Sequence, residues 1–141
     1  MRERLNVPVE EYTTMNPVSI APDMPATEVF QTMQDQGCRH MLVMQGADLQ
    51  GIISDRDIYK ALANQGGNPV GYESLRASHL MTAEVFCCSK SDNLDQVVFT
   101  MSDRKIGSAV VKDKNDEIFG IFTSTDALNA LVEVVRGEVE A

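Results

Sequence analysis

The apolar residues of this 141-residue chain fall into two matched series. In the first, Val18-Ser19-Ile20 reads as a short strand closed by Pro22-Asp23. Ala26, Val29, Phe30 and Met33 then follow at i, i+3, i+4 and i+7. That spacing sets four apolar side chains on one face of a helix. In the second series Val85-Phe86-Cys87-Cys88 is the strand and Ser91-Asp92-Asn93 the break. Leu94, Val97, Val98 and Met101 then repeat the helical spacing. Asp23 and Ser91 are the expected N-caps, Pro25 suits a first turn, and Gly37 suits a C-terminal stop.

The series stay in step further along. Met41-Leu42-Val43-Met44 and Ala109-Val110-Val111 read as buried strands. Polar turns follow, Gln45-Gly46-Ala47-Asp48 and Asp113-Lys114-Asn115-Asp116, which are hairpin signals. The chain returns as strands over 49–53 and 118–122. Last helices follow, with apolar positions at Ile58, Ala61 and Leu62 or at Ala127, Leu128, Leu131 and Val132. The pattern predicts strand, helix, strand, strand, helix, twice over, in repeats at 12–63 and 79–135. Residues 1–11 form a lead segment in which Leu5, Val7 and Val9 suit a short strand. Residues 64–78 form a linker, flexible by composition at its Gly- and Asn-rich start, and 136–141 an acidic tail. Repeats of this size do not bury a core alone, so the two are expected to pack as one α/β (α+β) module.

Each final strand runs into the same motif. Gly51-Ile52-Ile53-Ser54-Asp55-Arg56-Asp57 is echoed 69 positions later (120 − 51) by Gly120-Ile121-Phe122-Thr123-Ser124-Thr125-Asp126. A hydroxyl residue followed three positions on by a carboxylate is the spacing of a capping box at a helix start. The same place, with its backbone N–H groups and positive helix-dipole end, can also receive an anion. Capping alone accounts for the motif, and a capped helix start remains able to take a phosphate.

Composition narrows the classes. Apolar residues make up 43% and charged residues 23%, ordinary for a globular chain. The formal charge of −9 argues against a nucleic-acid or anionic-membrane partner, both of which reward clustered Lys and Arg. No apolar run reaches membrane-spanning length, and the first residues are no secretory signal, so a cytoplasmic protein is expected. Cys38, Cys87 and Cys88 offer neither a disulfide framework nor zinc-ligand spacing. His40 and His79 carry no ligand pattern, so no metal is expected. No nucleophile–base pair or P-loop is present, which points away from an enzyme.

With its duplicated element order, the Met15 and Met81 starts of the repeats and the paired Gly-x-x-[Ser/Thr]-x-x-Asp motifs, the chain resembles a tandem pair of CBS domains, a Bateman module. The resemblance spans about Tyr12 to Leu131. It implies two β-α-β-β-α repeats packed with pseudo-twofold symmetry, usually as a homodimer, with a regulatory role and no catalytic residues. Family members commonly bind AMP, ADP or ATP between the repeats, and some bind S-adenosylmethionine or dinucleotides such as NAD. No cofactor is required, and an unidentified effector protein would read the output. A ligand-free dimerisation or interaction module is the alternative.

Carried over by position, the ribose-binding carboxylates are Asp57 and Asp126. Ser54, Thr123, Ser108, Arg39, His40 and Arg56 match positions that face phosphate or ribose. The adenine slot falls on Val18, Ile20 and Met41 in the first repeat and on Phe86, Cys88 and Ala109 in the second. These six would be core residues in any reading. The second repeat has Gly107 and Ser108 in place of Arg39 and His40, and Thr125 in place of Arg56, while Arg104 and Lys105 fall at a helix end. The cations therefore favour the first motif for the charged end of a nucleotide.

Overall fold

A computed structural model describes residues 6–64 and 74–137. Leu5, most of the linker and the end of the acidic tail lie outside these residues. The described chain forms two compact units: one holds 17–85, and the other combines the residues up to Asn16 with those from Phe86 onward.

In the contiguous unit, β2 (Ser19–Ile20), β3 (His40–Gln45) and β4 (Asp48–Ser54) form a three-stranded sheet in that order. β2 runs parallel to β3 across α1 (Ala26–Gln36), and β3 and β4 form the hairpin expected of the Gly46 turn. Ala26, Val29 and Met33 on α1 pack against Met41, Val43 and Ile53 of the sheet and Ile58 of α2 (Asp55–Asn64). Each of these buried Val, Met and Ile side chains contributes about 1.5–3 kcal/mol. The helix ends at Gly37, whose φ of 65° lets its N–H reach back to Gln34 while Cys38 reaches Met33. The short helix α3 (Ala77–Leu80) closes the same core with Ala77 and Leu80.

The other unit repeats this plan with α4 (Leu94–Arg104), β5 (Cys87–Ser89), β6 (Ser108–Lys112), β7 (Ile118–Thr123) and α5 (Ser124–Val135). Its sheet gains an edge strand, β1 (Thr14–Met15), antiparallel to β7, giving the order β1-β7-β6-β5. Leu94, Val97 and Met101 pack with Ala109, Val111 and Phe122. The polar turn between β6 and β7 is tied by the Asp113 carboxylate, which accepts from the N–H groups of Asn115 and Glu117.

Three local expectations change. Asp23 and Ser91 do not cap their helices, which begin later, after Pro25 and Asn93. Backbone carbonyls act in their place: Leu75 accepts from the Ala26 N–H at 2.9 Å, and Val7 from the Leu94 N–H at 2.8 Å. Val7 and Val9 are not in a strand, because Val9–Tyr12 turns as a 3-10 helix that buries Val9 against the second-repeat core. Met15 does not start the first repeat; it lies in β1 on the second repeat's sheet.

These changes share one cause. Residues 7–15, which lead into the first repeat, pack on the second, and residues 74–82, which lead into the second, pack on the first. Pro8 bridges Asn93 as Arg76 bridges Pro25. Thr14–Met15 pairs with Ile121 and Gly120, while Thr82 pairs with Ile52. The two repeats exchange lead-in segments.

Candidate functional site

Both motifs fold into the same reciprocal cap. The Asp57 Oδ2 accepts from the Ser54 N–H at 2.8 Å and from Ser54 Oγ at 3.0 Å, while the Asp57 N–H donates to Ser54 Oγ at 3.2 Å. In the second copy, Asp126 Oδ2 accepts from the Thr123 N–H at 2.9 Å and from Thr123 Oγ1 at 3.1 Å. The Asp126 N–H returns a bond to Thr123 Oγ1 at 3.4 Å. A hydroxyl can donate once and accept twice, so every bond in the cycle is satisfiable. The cap uses Oδ2 of each carboxylate. Asp57 Oδ1 accepts no bond among the described residues, and Asp126 Oδ1 accepts a long one, 3.4 Å, from Thr14 Oγ1.

The neighbouring strand fixes what faces each cap. His40 pairs with Ser54 in the β3–β4 ladder, and the Arg39 carbonyl accepts from the Asp55 N–H at 2.9 Å. Arg39, His40, Ser54, Arg56 and Asp57 thus converge at the start of α2, with Arg39 and Arg56 exposed. Ser108 pairs with Thr123 in the same way, and the Gly107 carbonyl accepts from the Ser124 N–H at 3.0 Å. Arg104 does not reach this point; its guanidinium lies over the Phe86 ring, 5.3 Å from the centroid, an attractive cation–ring geometry. Lys105 is the left-handed C-cap residue of α4.

The apolar candidates divide by accessibility. Val18 and Phe86 are half-buried at the strand openings, where their carbonyls accept from Leu42 and Val110. Ile20 and Cys88 are buried, and Met41 and Ala109 have no exposed surface. In these units the last four side chains are core, a role the alternating strand pattern alone assigns them.

Three features escaped the sequence reading. Thr14 touches Asp126 from a segment with no local signal for that contact. The Arg104–Phe86 contact joins two residues that the linear pattern keeps apart. Asp55, at a variable place in the motif, turns its Oδ1 onto the Arg56 N–H at 2.9 Å. The corresponding Thr125 N–H of the second copy has no hydrogen bond among the described residues. The first copy thus holds more cations, and the second a freer backbone donor.

The family model of the CBS domain matches residues 9–64 and 77–133. The chain belongs to the CBS-domain family and carries two CBS domains in tandem. Protein MJ1225 of Methanocaldococcus jannaschii is 28% identical over 130 residues, covering 87% of this chain and 46% of that relative, so the chain spans about half its length. The crystal structure of MJ1225 superposes with a TM-score of 0.76 over 90% of this chain and 48% of that one. The CBS pair of protein MJ0100, solved with 5′-methylthioadenosine and S-adenosyl-L-methionine, is 22% identical with a TM-score of 0.76, covering 94% and 98%. CBSX2, solved in complex with AMP, is 19% identical with a TM-score of 0.74, covering 92% and 98%. These last two show the fold.

Proposed function

We propose that this chain is a regulatory module that binds an adenosine-containing ligand of the AMP, ADP or ATP class and acts by binding rather than catalysis. Asp57 and Asp126 receive the ribose hydroxyls. Ser54, Thr123, Ser108, Arg39, His40 and Arg56 face ribose and phosphate. Each repeat offers a base slot of its own: half-buried Val18 with Ile20 and Met41 behind it in the first, and half-buried Phe86 with Cys88 and Ala109 behind it in the second.

One observation carries this reading. The cap consumes Oδ2 of Asp57 and leaves Oδ1 without a partner among the described residues. Helix capping therefore leaves the same carboxylate able to take a ribose diol, since an ionised carboxylate accepts about four hydrogen bonds. The adenosyl ligands of MJ0100 and CBSX2 support the same class for this chain.

The test is thermal unfolding with AMP, ADP, ATP, S-adenosylmethionine and NAD. A ligand at a hundred times its Kd adds about 2.7 kcal/mol and raises the midpoint. Asp57→Asn and Asp126→Asn retain an acceptor for the cap while removing the charge; each is expected to diminish the shift without loss of fold. A midpoint unmoved by every ligand at millimolar concentration would sink the reading.

Homodimerisation is the second proposal, favoured by α5. Leu128, Leu131, Val132 and Val135 fall at i, i+3, i+4 and i+7 and are all exposed, with Leu128 at 61% and Val135 at 75%. An apolar helical stripe of this kind suits a second copy of itself. Leu131→Glu is expected to reduce the sedimentation mass from two chains to one. A wild-type mass of one chain at high micromolar concentration would end the dimer proposal.

A further inference from the structure

We infer that Asp55 sets the charge selectivity of the first copy, weighting it toward adenosyl ligands whose 5′ substituent is uncharged or cationic and away from phosphates. This inference rests on the adenosine-binding reading above; it leaves the phosphate-bearing ligands of that reading to the second copy and reverses, for the first, the expectation that Arg39 and Arg56 favour the charged end of a nucleotide.

The two copies share one backbone plan and differ at the first two residues of the helix. In the first copy these are Asp55 and Arg56, in the second Ser124 and Thr125. Asp55 acts against a phosphate in two ways. Its Oδ1 holds the Arg56 N–H at 2.9 Å, removing a donor that the second copy keeps free at Thr125 among the described residues. It also adds to the first turn of α2 a negative charge that the first turn of α5 lacks.

The arginines do not cancel this effect. Arg39 and Arg56 are exposed, and their long side chains act through solvent, where salt screens them and holding one geometry costs entropy. Asp55 has a short side chain fixed by its own hydrogen bond. A neutral thioether loses nothing at such a place, and a sulfonium gains from the added negative charge. The second copy has hydroxyls at Ser124 and Thr125, neutral groups that donate as readily as they accept.

The exchange of Asp55 for its counterpart tests this in the full chain. In an Asp126→Asn background, which weakens the second copy, calorimetric titration compares AMP with 5′-methylthioadenosine for Asp55 and for Asp55→Ser. The affinity ratio of AMP to 5′-methylthioadenosine is expected to rise about tenfold in Asp55→Ser, and the rise to shrink at high salt. The reverse change, Ser124→Asp in an Asp57→Asn background, is expected to lower the ratio at the second copy. Binding of both ligands with a ratio unmoved by either exchange overturns the role of Asp55 and leaves the adenosine reading intact. Binding of neither ligand to the unsubstituted chain overturns both. Because Ser124 already opens α5, the serine variant is compatible with the fold, and its melting without ligand verifies this.

Discussion

The carbonyl oxygen of Thr82 occupies the space beside Gly51 that a side chain would need. A Cβ built on Gly51 would stand 2.7 Å from that oxygen and 2.7 Å from the Met81 sulfur. Gly120 meets the Thr14 carbonyl and the Thr13 methyl in the same manner. The glycine of each motif thus answers to the lead-in segment laid across its strand and not to a positive φ. Gly51→Ala must displace backbone that pairs with Ile52, which overpacking costs put at about 1–3 kcal/mol. Gly120→Ala is expected to cost at least as much. Urea unfolding of both variants measures this, and a loss below the error of the method in either would refute the account.

Lys105 stands where the first repeat has Gly37, and both are left-handed, with φ of 56° and 65°. A side chain in that conformation costs about 1–2 kcal/mol, partly offset by the greater freedom glycine has when unfolded. Lys105→Gly is therefore expected to stabilise the chain by roughly 0.5–1 kcal/mol, and Gly37→Ala to destabilise it by a similar amount. The check is the shift in melting temperature, and the two variants should move in opposite directions.

The capping cycles make a separate claim on stability. Ser54→Ala and Thr123→Val each remove the hydroxyl that accepts from the Asp N–H, at a cost of about 1 kcal/mol. Asp57→Ala and Asp126→Ala should cost a similar amount before any ligand is added. Denaturation without ligand tests this. A pair of fully stable alanine variants would mean that the carboxylates have no structural role.

Cys88 and Cys87 are neighbours with opposite fates. Cys87 is exposed on β5, whereas burial, helped by the nearby charge of Asp92, pushes the Cys88 thiol from 9.0 up to about 12. Iodoacetamide at pH 8 is expected to label Cys87 readily and Cys88 only after unfolding, a contrast that mass spectrometry of the labelled peptide resolves. The raised folded value also fixes a sign. The stabilisation associated with Cys88 is complete below pH 9 and declines as pH rises toward 12, because the unfolded thiol loses its proton first. Cys88→Ala should flatten that part of the stability profile.

What the linear pattern revealed was whatever depends on near neighbours. The stripe of Ala26, Val29 and Met33, the Gly37 stop, the hairpins and the two capping boxes are all readable within a dozen residues. The exchange of lead-in segments was not, since the pairing of Thr14 with Ile121 links positions 107 apart (121 − 14) and has no periodicity to announce it. Asp23 and Ser91 misled for the same reason: the carbonyls of Leu75 and Val7 supply the caps from far away in sequence. At the two helix starts, residue type identified Ser54, Asp57, Thr123 and Asp126 as the capping residues. It could not reveal which carboxylate oxygen the cap would use, or that Asp55 would turn onto its neighbour's amide. Those are matters of side-chain rotamer, which a one-dimensional pattern does not encode.

The exchanged segments also impose a timetable. Residues 17–85 are contiguous, so that unit can close once its own stretch has left the ribosome. Val7, Val9 and Thr14 are synthesised early yet have no partners until Leu94, Phe122 and Ile121 exist. Such long-range pairing slows folding. Val7, Val9 and Thr14 thus wait while the whole contiguous unit is made, and the repeat that follows it is the one that shelters them.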